Sequence, residues 1–412
     1  MGFSPSTTIA DSAAPRRETG TALVLALLSF GHYFIDLYSA ALSALQPRLA
    51  ETMGLSLTQA GMLGGMLVFS SSVCQPAYGY LADRFHSRMF TVLAPGVAGV
   101  FISALGLAPS FGWLLLLVFL GGAGVASFHP QASAWATKGV DSSRGTWMAI
   151  FISAGTMGMA CGPTYFSWLP QWLGMERLYW AGVPGVLCSI LLWFTLGRGP
   201  TVSPTSPEPT LEEMQASRKE RFDLAPLRAV WKPLLLLFLC VFIRSIVQVT
   251  YTQLLPLYLN KERQWSISKA TLTLSLYLAF GALGGFVGGR LTDRIGGRRV
   301  IMISMIGSVP FLLGFFAFTG LPSILCLLGG GLVLLFTIPV NVVMAQDLVP
   351  GQTGTVSALM MGFAWGTSGL IFVPLTGLLS DLWTMHTVLA ALGLFPLLGF
   401  VFARMLPETH RA

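Results

Sequence analysis

Charged residues divide this chain into long apolar blocks. Windows free of Asp, Glu, Lys and Arg run over 52–82, 89–137, 145–175 and 178–197, and 19–47 is interrupted only by Asp36. After a polar stretch at 198–232 the order recurs. Residues 233–260 are interrupted only by Arg244, and 270–289, 300–346, 348–380 and 382–403 follow. A hydrocarbon core of about 30 Å takes about 20 apolar residues per helix. Windows 89–137 and 300–346 are each long enough for two spans, with breaks at Pro109-Ser110-Phe111-Gly112 and near Gly320-Leu321-Pro322. The pattern predicts twelve membrane helices, six on each side of the polar stretch.

Composition points the same way. Of 412 residues 54% are apolar and 10% charged, with a mean hydropathy of +0.70; soluble domains carry about 25% charge. That balance excludes a soluble globule, a disordered chain and a disulfide scaffold. It predicts an all-α multi-pass membrane protein. Residues 1–18 form a tail, 19–197 a six-helix bundle, 198–232 a linker, 233–405 a second bundle and 406–412 a second tail.

Lys and Arg set the expected orientation. With Arg16 and Arg17 cytoplasmic, only Arg48, Arg177, Lys261, Arg263 and Lys269 fall outside, and Arg244 lies within a span. Both termini are therefore expected inside, in a plasma membrane. The net charge of +7 then reflects topology and anionic lipid, not nucleic acid. The first window is too long for a cleaved signal peptide and lacks a small-residue cleavage site. The five cysteines (Cys74, Cys161, Cys188, Cys240, Cys326) all fall in spans without metal or disulfide spacing and read as packing residues. In the linker, Thr210-Leu211-Glu212-Glu213 has the capping-box pattern and predicts a short surface helix over 210–221.

The halves repeat. Pro47 matches Pro256, Gly121-Gly122 match Gly330-Gly331, Pro130 matches Pro339 and Gly145-Thr146 match Gly354-Thr355, all 209 residues apart, while Gly79 matches Gly289 at 210. A constant offset indicates parallel bundles related by a two-fold axis along the membrane normal. That layout places a substrate site at the repeat interface near mid-bilayer.

Gly79-Tyr80-Leu81-Ala82-Asp83-Arg84-Phe85-His86-Ser87-Arg88 resembles the loop motif after the second helix of the major facilitator superfamily, and Gly289-Arg290-Leu291-Thr292-Asp293-Arg294-Ile295-Gly296-Gly297-Arg298 repeats it. The resemblance implies two conformational latches, with Gly79, Asp83, Arg84 and Arg88 in one and Gly289, Asp293, Arg294 and Arg298 in the other. His86 stands where the family usually has glycine. Gly31-His32 with Asp36, Phe128-His129-Pro130 and Arg244 resemble the fosmidomycin-resistance type of exporter within that superfamily. Gly158, Gly162 and Pro163 resemble its antiporter signature, without the paired glycines that usually follow. The fourth-helix arginine of many drug–proton antiporters is also absent.

Ionisable side chains at mid-bilayer cost about 2.5–3.5 kcal/mol even on insertion scales, so they are functional candidates. His32, Asp36, Ser39 and Ser43 share one helical face, as do Arg244, Gln248 and Tyr251. The offset maps Asp36 onto Ser245, one residue from Arg244 and about 1.5 Å away in depth. The expectation is an Asp36–Arg244 ion pair that competes with substrate; a purely structural pair is the alternative. His32 and His129 read either as proton carriers or as bonded interior histidines. Trp135, Trp147, Tyr165, Tyr251, Tyr258 and Trp365 are candidate cavity aromatics. The GxxxG spacings Gly61–Gly65, Gly281–Gly285 and Gly285–Gly289 read as close helix approach.

No phosphate-binding P-loop, HExxH, dinucleotide fingerprint or GxSxG elbow is present, so neither an ATP-driven pump nor an enzyme is expected. No cofactor or metal is expected. The reading is a proton-coupled secondary transporter exporting a small organic anion or drug, such as a phosphonate, as a monomer. Arg244, Gln248, Tyr251, His129 and Ser39 would bind substrate, and Asp36 with His32 would carry the proton. Proton-driven uptake of an anionic metabolite is the alternative, and a membrane enzyme or receptor a third.

Overall fold

A computed structural model describes residues 16–85, 87–136, 144–196 and 225–408. The expected linker helix at 210–221, both tail ends and His86 lie outside the described residues. Eleven helical segments are long and apolar enough to cross a membrane. In the first half they are α1 (Gly20–Met53), α2 (Leu57–Leu81), α3 (Met89–Leu107), α4 (Phe111–Ala136) and α6 (Met175–Leu196). In the second they are α7 (Trp231–Lys261), α8 (Ile267–Ile295), α9 (Gly297–Ala317), α10 (Gly320–Leu348), α11 (Thr355–Leu382) and α12 (Met385–Arg404). The twelfth, α5 (Arg144–Leu173), has 30 residues. Its glycines, serines and threonines dilute its hydropathy below that of the others. No strand occurs among the described residues.

The two halves pack alike. In the first, α1 lies along α5, α3 against α4 and α6, and α2 against α4; in the second, α7 lies along α11, α9 against α10 and α12, and α8 against α10. The bundles meet through α2 with α11, α5 with α8, and the second half of α1 with α7. Helix α7 is the most enclosed span, with 72% of its apolar window buried. The rim is apolar where lipid is expected, as at Leu187, Phe194, Phe286 and Leu321.

Glycine sets the closest approaches. A Cβ at Gly61 would lie 2.7 Å from the Val373 carbonyl oxygen, and one at Gly65 2.5 Å from Pro374, so the first GxxxG pair presses α2 onto α11 across the bundle interface. Gly281, Gly284 and Gly288 bring α8 onto α10 within the second bundle. The same two interface helices carry π-helical turns, Phe69–Val73 in α2 and Leu359–Phe363 in α11. These turns touch each other, and π turns are frequent where helices must adjust during function.

Candidate functional site

The ionisable centre of the first bundle is a three-residue cluster. His32 and Asp36 lie one turn apart on α1, and His129 reaches them from α4. His32 Nε2 is 3.3 Å from Asp36 Oδ2, and His129 Nε2 is 3.4 Å from Asp36 Oδ1. His32 is 6% and Asp36 8% exposed; the His129 side chain, at 26%, is the open edge. Glycine makes the convergence possible. A Cβ at Gly31 would sit 3.0 Å from the Phe128 ring, and one at Gly155 would crowd His32 and sit 2.6 Å from Asp36 Oδ2. The antiporter-like glycines extend this contact: Gly158 abuts the Tyr33 carbonyl and Gly162 the Leu37 carbonyl, clamping α5 to the helix that carries Asp36.

Hydrogen bonding fixes the histidine tautomers. His32 Nδ1 is 2.8 Å from the Phe151 carbonyl and His129 Nδ1 is 2.9 Å from the Val125 carbonyl. A carbonyl only accepts, so both Nδ1 atoms carry hydrogen and donate. Each Nε2 then faces one oxygen of Asp36. The cluster thus holds one carboxylate between two imidazole nitrogens. The three groups also offer ligand atoms within 4.8 Å of one another, a spacing that fits a cation as well as shared protons.

The second bundle carries the cation. Arg244 on α7 is 4% exposed. Its Nη1 donates to Gln248 Oε1 one turn away, its guanidinium lies 5.9 Å from the Trp365 ring centre, and its Nε has no partner. The expected Asp36–Arg244 ion pair is not formed: both Asp36 oxygens face histidines and the arginine uses Gln248. Each charge has a neighbour in its own bundle, and none of these contacts joins the two bundles.

Other expected ligands are placed differently. Tyr251 donates to the Leu389 carbonyl at 2.9 Å and so ties α7 to α12. Ser39 donates back to the Asp36 carbonyl at 3.0 Å. Among the expected cavity aromatics Trp365 stands by Arg244. Trp135 instead stacks under Arg88, Tyr165 reaches the Ala181 carbonyl, and Tyr258 bonds His386 and Arg263. Two buried groups escape the sequence reading. Tyr277 on α8 is within electrostatic reach of Arg244, and its hydroxyl is unpartnered. Asn341 on α10 has neither amide atom partnered. Asn341 has a signal, being an amide two residues after Pro339 in an apolar span; Tyr277 has none beyond its type.

The loop motifs are symmetric in structure as well as sequence. Gly79 faces Pro130 and Gly289 faces Pro339; a Cβ added to each glycine would lie 3.4 and 3.8 Å from the respective proline ring. Arg88 donates to the Leu196 carbonyl at 2.8 Å, closing the C-terminus of α6. Arg298, 210 residues on, donates to the Arg404 carbonyl at 2.6 Å at the end of α12 and pairs with Glu408 at 3.3 Å. Each terminal arginine thus holds the last helix of its own bundle, where a cation also suits the helix dipole. Arg84 meets Tyr80 at 3.4 Å, and the Asp83 side chain lies outside the described residues. Asp293, Arg294 and Arg298 line a cavity of about 300 Å³ with Asp347 and Glu408.

Known proteins resemble this chain along nearly its full length. The family model described as Major Facilitator Superfamily matches residues 25–369 and 237–412. The chain is 31% identical to the uncharacterized MFS-type transporter YfnC of Bacillus subtilis (strain 168), over 97% of this chain and 98% of that one. It is 26% identical to the fosmidomycin resistance protein of Escherichia coli (strain K12), over 98% of each. A bacterial homologue of the human lysosomal transporter Spinster, in an inward-facing and unoccupied conformation, has the same fold with a TM-score of 0.80 at 17% identity, covering 94% of this chain and 97% of the other. The chain belongs to the major facilitator superfamily of membrane transporters, and is not an enzyme.

Proposed function

We propose that the protein exports a small organic anion, such as a phosphonate, in exchange for protons, by alternating access between its two bundles. The observation that carries this reading is the division of labour between bundles. One holds a buried carboxylate shared by two histidines, the other a buried arginine with an unpartnered Nε. An anionic oxygen at the guanidinium makes charge-assisted hydrogen bonds, the strong kind, and Gln248 and Tyr277 supply neutral partners beside it. His129, the open edge of the cluster, is the group through which a bound anion and the stored proton sense each other. Export is favoured by the similarity to a fosmidomycin resistance protein along nearly the full length. In this reading both termini lie in the cytoplasm and the membrane is a bacterial inner membrane.

A second reading follows from the charge of the cluster. A proton on the Asp36 cluster adds positive charge, which attracts an anion at Arg244 and so favours carrying both the same way. Flux direction separates the two. Protein in liposomes holding a pH dye, with an acid interior, is given fosmidomycin outside. Exchange dissipates the gradient as fosmidomycin accumulates inside; cotransport gives no accumulation under this gradient and accumulates fosmidomycin when the acid side is reversed. Arg244→Ala abolishes either response. Absence of substrate-dependent proton movement in both orientations would overturn the proposal.

A further inference from the structure

Among the described residues, two polar contacts cross the bundle interface at the rim of the face away from the termini. A third, between the Thr164 and Ser275 hydroxyls at 2.8 Å, crosses deeper along α5 and α8. At the end of α11, the Asp381 carboxylate accepts from the backbone N–H of Leu57 at 2.9 Å and Thr58 at 2.7 Å, and from the Thr58 hydroxyl at 2.6 Å. At the end of α5, the Gln171 amide donates to the Ser268 hydroxyl at the start of α8. These contacts are related by the repeat: Gln171 maps onto Asp381, and Thr58 onto Ser268, both at 210 residues. The N-caps beneath them repeat too. Ser56 accepts from Gln59 N–H and Ser266 from Lys269 N–H, again 210 apart.

Accounting for the start of α2 shows what Asp381 adds. A helix leaves its first N–H groups without intrahelical partners. Ser56 takes the third, and the first two are taken by a residue of the other bundle. Part of the capping of α2 is therefore available only while the bundles touch. A carboxylate at a helix N-terminus is also favoured by the dipole. The Gln171 arm is neutral and makes one bond.

We infer that Asp381–Thr58 and Gln171–Ser268 are paired clasps that hold this face shut and part each time the substrate site opens to it, with Asp381 the stronger arm. The inference rests on the alternating-access reading for its purpose and on the proposed orientation for calling this face extracellular. When α2 and α11 separate, Leu57 and Thr58 exchange the carboxylate for water. Losing Asp381 therefore weakens the closed state more than the open one.

The test reads distance, not transport, so it stands apart from the substrate assignment. Spin labels are placed at Glu51→Cys and Trp383→Cys, both exposed, in protein whose five native cysteines are replaced. Pulsed EPR then measures open and closed populations of this face. A helix cap is worth about 1 kcal/mol, which is about fivefold; Asp381→Ala is expected to raise the open-to-closed ratio by about that much. Asp381→Asn, which keeps one acceptor, is expected to fall between, and Gln171→Ala to give about twofold. Variants are compared only where size-exclusion profiles match the parent. An unchanged distribution in well-folded Asp381→Ala and Asp381→Asn overturns the inference, as does a larger shift in Gln171→Ala than in Asp381→Ala.

Discussion

Asp36 and Arg244 sit on symmetry-related helices one repeat position apart, yet they do not pair. Asp36 is held between His32 and His129 at 3.3 and 3.4 Å, and Arg244 leans on Gln248. The consequence for mechanism is that substrate need not break an ion pair to reach the arginine. In the proposed mechanism the two charges communicate through bound substrate, and each can be altered without removing a direct partner of the other.

Arg244→Ala is expected to abolish saturable transport. Arg244→Lys keeps the charge and loses the planar fork that binds an anionic group through two bonds. It should retain transport with affinity lowered about 10- to 100-fold. Concentration dependence of uptake in liposomes checks both. Equal affinity in the lysine variant would argue that the site uses only a point charge.

The two tyrosines should separate cleanly. Tyr251→Phe removes the bond to the Leu389 carbonyl, which keeps its bond from the Gly393 N–H. It should cost about 0.5–1.5 kcal/mol of stability with little change in substrate affinity. Tyr277→Phe removes a hydroxyl that has no partner in the protein, so stability should hold and affinity should fall. Thermal unfolding in detergent beside substrate binding resolves the pair.

Gly158→Ala should destabilise the first bundle, because an added Cβ overlaps the Tyr33 carbonyl. Overpacking of this kind costs about 1–3 kcal/mol. Gly285→Ala is the control: the nearest atom to its Cβ is 3.9 Å away, at Pro339, and unfolding temperature should barely move. Equal losses in both would sink the close-approach reading of the antiporter-like glycines.

Much of this was legible in the chain, for reasons the bilayer imposes. A span must exclude charge, so the windows between charged residues found twelve helices, including α5, which hydropathy alone ranks last. Duplication with a constant offset found the two bundles. The i, i+4 spacing placed His32 beside Asp36, because helix geometry alone brings them together. Partner choice across helices was not legible. Periodicity put Tyr251 on the face of Arg244 and Gln248, but the Leu389 carbonyl on α12 takes its hydroxyl as a second donor beside the Gly393 N–H. Depth put Asp36 level with Arg244, but depth says nothing of which neighbouring helix lies nearer, and His129 lies nearer. Asp381 registered only as the break between two charge-free windows. Its role depends on how α11 meets the start of α2, which no local pattern encodes.

The central claim, that the Asp36 cluster carries the coupled proton, is tested most directly by Asp36→Asn in liposomes. Two rates are measured on one preparation: substrate accumulation driven by a pH gradient, and exchange of labelled for unlabelled substrate without a gradient. The account predicts loss of gradient-driven accumulation with exchange retained, because the amide keeps the shape of the site and cannot take up or release the proton. Accumulation at the unsubstituted rate would contradict it, and would place the coupling outside the contact of Asp36 with His32 and His129.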